Sequence, residues 1–95
     1  MNITGFTWFN DIIEKLEHKH SVNQDEVREV FRRKPIFRFV ENGIHTGENV
    51  YAALGRTNAG RFLIIFFIYK KDRHALIVSA RNMTFAERKK YEKKS

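Results

Sequence analysis

Gly60-Arg61-Phe62-Leu63-Ile64-Ile65-Phe66-Phe67-Ile68-Tyr69, a polar reversal, then Ala75-Leu76-Ile77-Val78-Ser79-Ala80-Arg81 and the helix opener Asn82-Met83-Thr84-Phe85-Ala86-Glu87 form the stretch on which the fold turns. Eight successive large apolar residues, Phe62 to Tyr69, are too few to span a bilayer and too rich in β-branched and aromatic types for a helix. They predict a central strand buried on both faces. Ala75 to Ala80 supplies the next strand, and Thr84 with Glu87 three residues later is a capping box that opens a basic terminal helix.

Working outward, Thr57-Asn58-Ala59-Gly60 is turn chemistry, because Asn and Gly tolerate the positive φ of tight hairpins. It joins Val50–Gly55 to the central strand. Ile36 to Val40 alternates like a strand, with Pro35 and Arg38 marking it as an edge. Glu41 to Asn49 reads as loop. Further upstream, Phe9, Ile12, Ile13 and Leu16 recur at helical spacing over Asn10 to His20, with Asn10 or Asp11 expected to cap the first turn. A second helix begins near Ser21 or Asn23, where Asn23 and Glu26 form another capping box, and Pro35 ends it. The predicted order is ααββββα. This is an α+β fold in which an antiparallel four-stranded sheet is packed by two N-terminal helices, with a basic C-terminal helix, over a single domain of residues 1–95.

The chain has 95 residues, 18 Lys and Arg against 11 Asp and Glu, and no cysteine. A formal charge of +7 favours a polyanionic partner, above all nucleic acid. Without cysteine, disulfides, thiolate metal sites and cysteine nucleophiles are excluded. No signal-peptide pattern opens the sequence and no stretch approaches transmembrane length, so the expected location is the cytoplasm, with no membrane partner. If the 57–60 turn centres between Asn58 and Ala59, Arg56 lies opposite Arg61. If the later turn centres on Asp72, Arg61 and Arg81 become diagonal neighbours on the same face. Three cations would then share one end of the sheet, a place suited to a phosphate. A one-residue slip in either register would send an arginine to the other face.

At these residues the chain resembles the BrnT family of ribonuclease toxins from two-component toxin–antitoxin modules, whose fold is similar to that of RelE. The resemblance rests on Lys19-His20-Ser21-Val22 with Glu26 to Phe31, Gly47-Glu48, Ala53-Leu54-Gly55-Arg56-Thr57, Gly60-Arg61-Phe62-Leu63, Ser79 to Thr84, and Glu87-Arg88-Lys89-Lys90-Tyr91-Glu92. It implies a type II toxin that cuts single-stranded RNA or mRNA without a metal or other cofactor. It also implies neutralisation by a cognate antitoxin within a hetero-oligomer. Three positions depart from the pattern: Ser21 in place of glycine, Lys34 in place of an acid before proline, and Val50 in place of a basic residue.

Cleavage of this kind uses the ribose 2′-OH against its own phosphate, so the protein must orient the strand, stabilise charge on phosphorus and move protons. Arg61 and Arg81 are expected on the scissile phosphate and Arg56 on an adjoining one. His20, His45, Glu48 and Tyr91 are the candidates for proton transfer. Lys19, Lys89 and Lys90 are expected to contact RNA phosphates, and the four histidines lack metal-ligand spacing. Two other readings remain: a non-catalytic RNA-binding or regulatory module, and a basic partner that docks an acidic protein without nuclease activity.

Overall fold

The computed structural model describes residues 1–43 and 47–94, in the order β1 (Gly5–Thr7), α1 (Asn10–His20), α2 (Gln24–Arg32), β2 (Ile36–Glu41), β3 (Val50–Arg56), β4 (Phe62–Tyr69), β5 (His74–Asn82) and α3 (Phe85–Lys94). The strands form one five-stranded sheet in the order β1-β5-β4-β3-β2. β2 to β5 make the expected antiparallel arrangement, and Phe62–Tyr69 lies at its centre. The four-stranded expectation is corrected by β1, which pairs parallel to β5 through Phe6 and Ala75 and turns the sheet mixed. Three residues carry too little periodicity to announce a strand, and their partner is some seventy positions away.

Both capping boxes form. Asn23 Oδ1 accepts from the Glu26 N–H at 2.8 Å and Glu26 Oε1 from the Asn23 N–H at 3.1 Å. Thr84 and Glu87 make the same reciprocal pair at the start of α3. α1, by contrast, is capped by neither Asn10 nor Asp11: its N-cap is Phe9, with no side-chain hydrogen bond. At its other end Ser21 takes φ 52, and the Val22 N–H donates to the Leu16 carbonyl at 3.1 Å, closing the helix in the manner that normally selects glycine.

Alternation along the strands divides the sheet into two unequal faces. On one, Leu63, Ile65 and Phe67 of β4 meet Leu16 of α1 and Val27 and Val30 of α2, forming the main core. α2 approaches β3 so closely that a Cβ on Gly55 would stand 2.9 Å from Val30 Cγ1. On the other, Ala52, Leu54 and Ile64 are buried with help from Phe66, Met83 and Tyr91. α3 covers that second face at one end, and none of its own residues is fully buried. No helix among the described residues is long and apolar enough to cross a membrane.

Candidate functional site

The strand ends that carry the arginines are set by two local irregularities. In the β3–β4 hairpin the Thr57 N–H donates to the Arg61 carbonyl at 2.9 Å and Gly60, at φ 90, donates to the Thr57 carbonyl. Three residues therefore form the loop, and Arg56 lies opposite Phe62, not Arg61. In the β4–β5 pair the register shifts between Phe66 and Phe67, where Val78 is an extra residue. Leu76 and Ile77 pair as a turn centred on Asp72 requires, but beyond the bulge Arg81 lies opposite Ile64 and Asn82 opposite Leu63. One inserted residue moves every later side chain to the other face.

The expected convergence of Arg56, Arg61 and Arg81 on one face is thus overturned. Arg61 stands on the side of α1 and α2. Its Nη2 donates to the His20 carbonyl at 2.7 Å, its Nη1 to the Ser21 carbonyl at 2.6 Å and to Glu26 Oε2 at 3.2 Å, and its Nε to Asn82 Oδ1 at 2.8 Å. Those bonds use most of its donors, so this guanidinium ties the end of α1 and the start of α2 to the sheet. Arg81 stands on the α3 side, where Nη1 and Nη2 grip Glu87 Oε1 and Oε2 at 2.8 and 3.0 Å. Hydrogen bonds from Arg81, aided by the Thr84 backbone, hold the Glu87 carboxyl down at about 2 against burial, and raise Arg81 in turn. Each arginine is therefore held by the capping-box glutamate of a helix, a pairing that uses the carboxylate twice.

His20 and Lys19 accompany Arg61 at the end of α1, across the sheet from α3; His20 contributes its backbone carbonyl there. Glu48 sits beyond the opposite end of β3, bonded to Lys70 Nζ at 3.5 Å. Six residue-to-residue steps along the strand separate Val50 from Arg56, about 20 Å. Glu48 therefore cannot share a linkage with the arginines. His45 lies outside the described residues.

What the fold does bring together is a cleft of about 420 Å³ between the sheet end and α3, lined by Arg33, Arg56, Phe62, Tyr91 and Glu92. The Phe62 ring has the Arg88 guanidinium 3.9 Å and the Arg56 guanidinium 4.9 Å from its centre, and the Tyr91 ring packs edge-on at 5.9 Å. Among the described residues no carboxylate pairs with Arg33 or Arg56, and Arg88 is only loosely paired, its Nε 3.7 Å from Glu92 Oε1. Lys90 borders Tyr91 from the adjoining side with Arg38 and Lys94, while Lys89 lies over the exposed Phe85 ring at 4.9 Å. Arg56, Tyr91 and Lys90 thus meet as site residues, with Arg81 farther along the same face. Arg33, Arg88, Phe62 and Glu92 complete the cleft without having been singled out. Arg88 and Glu92 stood inside the motif read at the C-terminus, whereas Arg33 had no local signal, since the chain returns it to α3 only through the β2–β3 pairing.

Among the described residues no group of three or more His, Asp or Glu side chains could hold a metal ion. Such an arrangement, an aromatic ring between arginines beside a tyrosine and a carboxylate, can bind an anionic ester and exchange protons with it.

The molecule is thus a small α+β protein, a mixed sheet with two helices on one face and a basic helix closing a cationic cleft on the other. Residues 8–87 match the family described as ribonuclease toxin, BrnT, of type II toxin–antitoxin systems, and the chain belongs to that family. The 1.1 Å crystal structure of the Brucella abortus ribonuclease toxin BrnT shares the fold at a TM-score of 0.61, with 12% identity over 85% of this chain and 97% of that one. No curated protein gives a significant sequence match. Membership in a type II family implies an antitoxin as partner.

Proposed function

We propose that this chain is the toxin of its module, an endoribonuclease that cuts single-stranded RNA without a metal at the α3 cleft and is neutralised by a cognate antitoxin in a hetero-oligomer. The observation that carries this is the convergence of Arg56 and Arg88 on Phe62, beside Tyr91 and Glu92. Arg56 and Arg33 hold the non-bridging oxygens of the scissile phosphate, and Arg88 adds positive charge where the transition state gathers negative charge. Glu92 takes the 2′-OH proton as the 2′-oxygen attacks phosphorus. Tyr91 gives its proton to the departing 5′-oxygen as the P–O5′ bond breaks, leaving a 2′,3′-cyclic phosphate and a free 5′-OH. Lys89 and Lys90 attract the flanking strand. Arg81 and Glu87 position α3, and Arg61 with His20 acts through the fold.

Purified protein, stripped of any bound partner, should cut single-stranded RNA in the presence of a chelator. Replacing Arg56 and Arg88 together by alanine should lower the rate at least 100-fold, on the order of what one oxyanion donor supplies, while circular dichroism shows the fold retained. Undiminished cutting by that double variant would remove the cleft from consideration. RNA retained intact by the wild type would favour the binding-module reading, and cutting abolished by chelator would refute metal independence.

A further inference from the structure

We infer that single-stranded RNA has a second seat on this protein, a groove on the α2 side that continues the α3 cleft around the end of the sheet. The inference rests on the reading of the cleft as an RNA site. The groove has a volume of about 600 Å³, and its lining includes Phe6, Phe31 and Phe37. Their rings form a chain, Phe6 to Phe31 at 5.1 Å and Phe31 to Phe37 at 6.1 Å between centres. Two residues along the same face of β2, Phe39 is 51% exposed and packs edge-on against Tyr51 at 5.8 Å. Arg28, Arg32 and Lys34 line the groove, with Arg32 and Lys34 exposed. Arg28 and Arg32 stand one turn apart on α2, about 6 Å of rise. Lys34 is held at φ 54 although a proline follows, a conformation that bulky residues before proline avoid.

A cationic wall beside a row of aromatic rings is the pattern by which proteins hold single strands, the backbone on the charges and the bases on the rings. Charge complementarity selects the occupant, since the chain carries +7 and every charged side chain lining the groove is cationic, Arg32 and Lys34 without a carboxylate partner among the described residues and Arg28 paired with Asp25 at 3.2 Å. The join between the two sites is the consecutive run Arg32-Arg33-Lys34: Arg32 and Lys34 line the groove, Arg33 the cleft. A strand cut in the cleft therefore has a charged path over the corner onto the aromatic floor.

The test uses fluorescence anisotropy with 2′-O-methyl oligouridylates, which bind but cannot be cleaved. A 12-mer should bind the wild type at least tenfold more tightly than a 4-mer. Arg32→Glu with Lys34→Glu, and separately Phe39→Ala, should erase most of that length advantage while leaving the 4-mer affinity unchanged; Phe39→Tyr should keep it. Phe39 is surface-exposed, so its loss does not threaten folding, and circular dichroism checks each variant. An abasic 12-mer should lose the part of the advantage that depends on Phe39. Arg56→Ala with Arg88→Ala should instead weaken 4-mer and 12-mer alike, so failure of the cleft reading shows separately from failure of the groove. Unchanged 12-mer affinity in the groove variants would overturn the inference. So would groove variants that keep the RNA yet lose binding to poly-L-glutamate, which would assign the groove to an acidic protein.

Discussion

Arg61 illustrates how a residue suited to phosphate can be consumed by the fold. Its donors satisfy two carbonyls at the end of α1 and the Glu26 carboxylate at the start of α2. Arg61→Ala should therefore cost about 3 kcal/mol of stability, read from urea unfolding, because it strands the part-buried His20 carbonyl and Glu26 carboxylate. A loss of cutting with no shift in the unfolding midpoint would refute the structural role. Ser21, at φ 52, gives the opposite sign: Ser21→Gly should raise stability by about 0.5–1 kcal/mol by relieving the left-handed cost, also read from urea unfolding. The Glu87 carboxyl, lowered from the ordinary 4.5 to about 2 chiefly by hydrogen bonds from Arg81, is stabilised in its ionised form by folding. Its contribution is complete above about pH 4.5 and fades as the pH falls toward 2. With Arg81 partly open to solvent, it is on the order of 1–2 kcal/mol. Wild type and Glu87→Gln should differ by that amount at pH 6 and converge near pH 2; a gap that persists at pH 2 would contradict the assignment.

Among the elements, α3 is the one whose attachment is weakest. It buries no residue of its own and is held by Arg81–Glu87, by Arg88 on Phe62 and by Tyr91 against the small second core. Its amides should exchange with solvent well before those of α1 and α2 in a native-state hydrogen-exchange experiment, because few apolar contacts must break to open it. The bulge at Val78 is equally consequential for β5. Deleting Val78 should restore the straight register, turn Arg81 toward Leu63 and the main core, and break its grip on Glu87. The expected readout is a lower melting temperature and loss of α3 protection, and an unaltered pattern of exchange would show that the bulge does not set the face.

At the scale of the molecule, the two faces divide the work. The face under α1 and α2 holds the main core, whereas the other face ends in the α3 cleft with Arg33 at the C-cap of α2, Arg56 of β3 and Arg88 of α3 around it. Contacts to about four phosphates would make log affinity for single-stranded RNA fall against log salt with a slope of roughly −3, which titration from 50 to 300 mM salt can measure. A slope near zero would mean that charge does not carry the binding. In the Arg56→Ala, Arg88→Ala double variant the slope should become shallower by about one unit or more.

The helices, β2 to β5 and both capping boxes were legible in the sequence because each is written in nearest neighbours: apolar periodicity, turn residues, and an acid three places after a cap. The family could also be read there, in the short motifs around His20, Arg61 and Arg81. The site itself lay beyond that reach. Whether Arg61 and Arg81 share a face depends on the parity of a hairpin loop and of one bulge, each decided by a single residue, and whether Arg33 meets Tyr91 depends on how distant segments pack. Local chemistry sets the strands and helices, but the side on which a strand's charges emerge follows from register, which only the paired and packed sheet determines.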